Sequence, residues 1–163
     1  MKKNLFLLML FFVGTIATYS QASDLELDAM VSVLGLEKKE AVSKLVVLPE
    51  SQAEVFWKIY DEYQLKNKQT AIERIKLYQN TALSYHSLTP ELAESLANQY
   101  FKNRKDQERT LETYYKKIKN ATNATTAFQF YQAEVYLLTL LRAQIMQQIP
   151  TYGQLVQMKS QQK

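Results

Sequence analysis

Glu134 is the only acidic residue in an otherwise apolar stretch from about Thr126 to Ile149, and a carboxylate in such surroundings has two uses. Desolvation can hold a proton on it, making it a functional acid or a ligand anchor. Paired with a cation, it becomes instead a polar pin that fixes the register of its helix. Other chemistry is scarce. The chain has one histidine, His86, and no cysteine, so nucleophile–base pairs are nearly excluded. A stable metal site takes three or four ligands, whereas His86 stands alone at a helix end, where it suits the negative pole of the dipole. Thiolate sites and covalently attached haem are excluded with the cysteines. No Gly-rich phosphate loop, Gly-x-Ser-x-Gly or His-Glu-x-x-His is present. The expectation is a protein with no enzymatic activity, no cofactor and no metal.

Binding groups are easier to find. Lys66, Lys68, Arg74, Lys102, Arg104, Lys105 and Arg109 form a positive belt suited to acidic partners. Glu73, Asp106 and Glu108 lie among them, so the belt also reads as an ordinary solvated face. Phe56 and Trp57 open an aromatic group with Tyr60 and Tyr63. Adjacent helical positions point about 100° apart, so Phe56 and Trp57 do not both fit one thin core layer. The other is a candidate contact for a partner, where Trp and Tyr are favoured.

Long helices must position these groups. Few breakers interrupt the chain, and the prolines Pro49, Pro90 and Pro150 divide it. Short helical stretches are predicted over 25–34, closed by Gly35, and from Leu36 to Val47. A long helix follows from about Glu50 to about Tyr85, with Pro49 in its first turn. Thr89-Pro90-Glu91 restarts the chain as N-cap, N1 proline and acid at the positive helix end. That helix reaches about Lys119, and Asn120 to Thr126, which holds two Asn-x-Thr sequons, reads as an exposed loop. The last helix runs to Ile149, and the polar tail 151–163 is expected to be flexible.

One stripe of the long helix reads Phe56, Tyr60, Tyr63, Asn67, Ala71, Ile75, Tyr78, Ala82, Tyr85, a period of about 3.6. The next helix carries Leu92, Leu96, Tyr100, Asn103, Gln107, Leu111, Tyr114, Ile118. Both stripes are polar in the middle. Reflection about the turn near Ser87 makes an antiparallel hairpin in which Lys66–Thr70 faces Asn103–Arg109. The last helix is apolar nearly all round, so it is buried or shared with a partner; Glu134 is expected to meet Lys66, Arg74 or Arg109. The fold class is all-α: a long antiparallel helical hairpin closed by a C-terminal apolar helix, with short N-terminal helices.

The first 22 residues predict the address. Lys2 and Lys3, the apolar run Leu5–Val13 and Ser20-Gln21-Ala22 have the layout of a cleavable export signal. The run is shorter than the ~20 residues of a membrane span. No cysteine follows it, which excludes a lipid anchor. Residues 23–150 then form a single helical domain, and the protein is periplasmic or secreted. Loss of the signal takes two lysines and no acid, lowering the formal charge from +4 to +2. Charge and address together argue against nucleic acid as a partner.

Leu48-Pro49-Glu50-Ser51-Gln52 opens one long helix and Leu88-Thr89-Pro90-Glu91-Leu92 the next. Each resembles the Leu-Thr-x-x-Gln motif, present twice, of the Spy/CpxP-like family of small exported helical proteins. The first copy has Pro49 for Thr, and the second has Leu92 for Gln. The chain also resembles a Bacteroidetes-type group of exported proteins over about residues 45–150. The matching stretches are Phe56–Tyr63, Tyr114-Tyr115-Lys116-Lys117, Phe128–Glu134 and Ile149-Pro150. The resemblance implies a long-helix hairpin, often dimeric, that holds unfolded clients without ATP or touches a membrane sensor. The expected function is therefore an exported non-enzymatic binding protein of the cell envelope, chaperone-like or a stress-sensing adaptor. Its partners would be unfolded or acidic protein clients, or an envelope membrane protein. Two alternatives stay open: a helical scaffold dimerised through its last helix, and a small-ligand carrier with a pocket near Glu134.

Overall fold

The computed structural model describes residues 37–161; the predicted export signal and the stretch 25–34 lie outside them. Residues 37–45 are helical (α1). Then come α2 (Glu50–Ser84), α3 (Pro90–Ala121), α4 (Ala124–Gln148) and α5 (Tyr152–Gln161). The described chain is all-α. Helices α2 and α3 form the antiparallel hairpin, and α4 folds back along α3.

Local chemistry sets the boundaries. The β-branched Val46 and Val47 and the proline at position 49 stop α1. Pro49 stands at the N-cap of α2 and offers no side-chain cap, so the Gln52 amide closes the first turn on the Pro49 carbonyl at 2.9 Å. Thr89 caps α3, accepting from the Leu92 amide at 3.3 Å, with Pro90 at N1. The connection to α4 is tighter than the expected loop. Asn123 accepts from the Thr126 amide at 2.9 Å and starts α4 at Ala124, leaving only Thr122 and Asn123 between the two helices. Most of the described tail is helical. Thr151 and Gln154 exchange hydrogen bonds that start α5, and Tyr152 lies 5.7 Å from the Tyr85 ring.

The core is aromatic and sits at the open end of the hairpin. Phe130 of α4 meets Phe56, Tyr60 and Tyr63 of α2 edge-on, with centroids 6.5, 6.2 and 5.2 Å away, the favoured geometry of aromatic pairs. Leu111, Tyr114 and Ile118 of α3, Val42 of α1 and Val46 just after it complete it. The inward line of α3 follows the expected stripe. In α2 it does not: Arg74 and Leu77 are buried, whereas Ala71, Ile75 and Tyr78 are half-buried. From Phe56 to Leu77 the buried positions fit steps of four and three, a 3.5-residue period.

Candidate functional site

Glu134 is fully buried. Its carboxylate accepts from the Tyr60 hydroxyl at 3.1 Å and the Tyr63 hydroxyl at 2.6 Å, and pairs with the Lys38 ammonium at 2.5 Å. Lys38 also sits 5.2 Å over the Tyr63 ring. Burial, followed by the nearby Glu134 charge, pushes both phenols well above their ordinary titration range, so they remain donors. The partners expected for Glu134 were Lys66, Arg74 and Arg109. The structure corrects this, because α1 packs its lysine against α4 and the tyrosines of α2 reach Glu134 first. One buried carboxylate thereby ties α1, α2 and α4 together. Both its oxygens are engaged and none of its surface is open, which leaves no approach for a small ligand at that point.

Two turns further along α4 lies a second polar centre. The polar midsections of α2 and α3 meet in register: the Asn103 amide donates to the Thr70 carbonyl at 3.0 Å, and Arg74 donates to the Gln107 carboxamide oxygen at 2.9 Å. Arg142 of α4 donates to the same oxygen at 2.7 Å. Arg74 is therefore not part of a surface belt, being only 6% exposed. Burial, then the Arg142 charge, lowers its affinity for its proton. The rest of the belt is open or half-open: Lys66, Lys102, Arg104, Lys105 and Arg109 are exposed and Lys68 is half-buried. Lys102 is bound to Asp106 at 3.0 Å, so the belt is mixed in charge.

The aromatic pair divides. Phe56 is completely buried, which removes it as a contact for a partner. Trp57 is half-buried against Phe56 and Tyr60, and the Lys39 ammonium lies 5.5 Å over its ring.

Of the two expectations for α4, full burial does not hold. Its inner face carries Ala127, Phe130, Ala133, Glu134 and Leu138 into the core. Its outer face exposes Phe128, Tyr131, Val135, Tyr136, Leu140 and Met146, with Tyr136 and Met146 more than half open. The only two charges of this helix, Glu134 and Arg142, both point inward. The outer face, with Gln132, Thr139 and Ala143 between the apolar side chains, is uncharged from end to end. Contiguous exposed apolar surface of this kind marks interaction sites. Beside it Leu45 and Tyr131 line a shallow groove between α1 and α4. The Gln129 side chain fixes its floor by exchanging hydrogen bonds with the Val47 backbone at 2.8 and 3.4 Å. The uninterrupted apolar character of α4 was visible in the sequence, but the side facing out was not.

No helix among the described residues is long and apolar enough to cross a membrane, and His86 is exposed. No family model, curated protein or solved structure matches the chain.

Proposed function

We propose that this protein is an exported, non-enzymatic binding protein of the cell envelope that holds unfolded clients without ATP, or docks on an envelope membrane protein as a stress adaptor. The observation that carries this reading is the outer face of α4, uncharged along its length and rich in exposed apolar side chains. Tyr, Phe and Met are residues that adapt to many partners. The exposed cations Lys66, Arg104, Lys105 and Arg109 suit a second, electrostatic contact with acidic segments. The resemblance of the two helix starts, Leu48–Gln52 and Leu88–Leu92, to the Spy/CpxP-like motif points the same way.

The test is aggregation suppression by the mature chain, residues 23–163, on an unrelated unfolded protein at low and high salt. Suppression is expected at both. The part contributed by the lysines and arginines falls with salt, because exposed charge attractions are screened, and the apolar part persists. No suppression at several-fold molar excess would sink the chaperone-like reading.

The same face supports a second reading, a homodimer joined through α4. Light scattering at micromolar concentration separates the two, since a monomer that suppresses aggregation leaves the face to clients.

A further inference from the structure

At Gln107 two cationic donors from different helices share a single acceptor. Arg74 and Arg142, from α2 and α4, both donate to the Gln107 carboxamide oxygen of α3. A guanidinium carries five N–H donors and accepts nothing, so neither arginine can satisfy the other. Among the described residues, no carboxylate lies within ion-pair distance of either arginine. Glu134 is the acid nearest in sequence on α4, and it is occupied two turns away by Tyr60, Tyr63 and Lys38. The Gln107 carboxamide is oriented by the arginines, since only its oxygen can accept from them. Its Nε2 is left buried with no acceptor. Three helices thus bring two like charges and one orphan donor to a site where Gln107 is 1% exposed and Arg74 6%.

Like charges placed this close in a poorly solvated interior repel, and an unsatisfied buried donor adds to the cost. One kind of group relieves both the repulsion and the orphan donor: an oxyanion, whose oxygens accept from both guanidiniums and from the amide. Arginine forks match such oxygens two at a time. Arg142 is only half-buried, so the centre lies closest to solvent on the α4 side.

From this donor set we infer that Arg74, Gln107 and Arg142 form a binding site for a small oxyanion, phosphate or a carboxylate, in the middle of the bundle. The site is separate from the client-binding face, because all three side chains turn away from the outer surface of α4. Its occupation locks α2, α3 and α4 at their midpoint.

The experiment is calorimetric titration of the full mature chain with sodium phosphate, and separately with sodium succinate, against sodium chloride of matched ionic strength. Phosphate or succinate should bind saturably where chloride does not, and whichever binds identifies the kind of oxyanion. Arg142→Gln keeps a donor near Gln107 and removes the charge. It should weaken binding about tenfold or more, the factor that loss of one charge-assisted hydrogen bond carries. Thermal unfolding gives an independent sign. In chloride alone the variant should melt higher than the native chain, because the repulsion with Arg74 is gone, and at saturating anion the order should reverse. Absence of saturable binding by either anion, or equal binding by Arg142→Gln, would overturn the site. A variant that melts lower by the same margin with and without anion would also overturn it, since Arg142 would then be only a structural donor.

Discussion

Tyr60 and Tyr63 act as proton donors that must remain protonated for the core to hold. Each phenol is buried against Phe130 and bonded to Glu134, and both are pushed above their ordinary value, first by burial and then by the carboxylate charge. In the unfolded chain the same groups titrate near 10. Their contribution to stability is therefore complete below about pH 10. It is lost as pH rises beyond that, where the unfolded state releases protons that the folded state retains. Tyr60→Phe keeps the ring and deletes the titrating group. It should cost about 1–2 kcal/mol at neutral pH through the lost hydrogen bond to a charged acceptor. Between about pH 8 and about pH 11 its urea midpoint should then fall less than that of the native chain. An equal fall in both would show that the alkaline sensitivity lies elsewhere. The sequence singled out Glu134 correctly as the unusual carboxylate, and it had no means of choosing its partners. Those depend on α1, whose Lys38 lies almost a hundred residues away in the chain.

Helix starts were the most legible elements. Thr89-Pro90-Glu91 and the proline at position 49 act locally, through caps and missing amides, and local rules can be read from local sequence. The hairpin register was legible too, because two polar midsections had to meet or remain buried unpaired, and Asn103–Thr70 and Arg74–Gln107 are that meeting. The orientation of α4 was legible only at Glu134, which was expected to face the hairpin. A helix apolar all round gives no periodic signal of its inner side, and its two charges would ordinarily mark the outer one. Here they mark the inside, since Glu134 and Arg142 each find buried polar partners there. This decides how α4 should respond to substitution. Leu138 is buried and Leu140 is not. Leu138→Asp should unfold the domain by placing an unpaired carboxylate in the core, a loss of several kcal/mol. Val135→Asp and Leu140→Asp, on the outer face, should change stability by no more than about 0.5 kcal/mol. The same pair should abolish aggregation suppression, or dimerisation if the face is used by a second copy. Chemical denaturation alongside the activity assay checks both halves, and intact activity in the outer-face double variant would remove α4 as the binding surface.

Across the whole molecule, packing is uneven along the hairpin. The aromatic cluster from Phe56 to Tyr63, with Leu111 to Ile118 and Ala127 to Ala133, forms a buried core at the end where α2 begins. That end is fastened by hydrogen bonds across elements: the Gln52 carboxamide oxygen accepts from Asn123 at 3.1 Å and from Thr126 at 2.8 Å, joining the first turn of α2 to the cap of α4. The layer of Thr70, Arg74, Asn103, Gln107 and Arg142 then interrupts the apolar interior. Beyond it, toward Ser87, burial thins to Leu77 and Leu96, with ring contacts of Tyr78 on Tyr100 and Tyr85 on Tyr152. Local stability follows buried apolar contact, so the two ends should open with different free energies. Amide hydrogen exchange should be slowest in 56–63, 111–118 and 127–134, and faster by orders of magnitude in 80–96 and 152–161. If an oxyanion bridges Arg74, Gln107 and Arg142, saturating phosphate should slow exchange at the midsection and tip, which the polar layer connects to the core. The basal core should gain only by the amount that overall stability rises. Uniform protection along α2 and α3 without any anion would mean that the polar layer divides nothing, and that the hairpin unfolds as one unit.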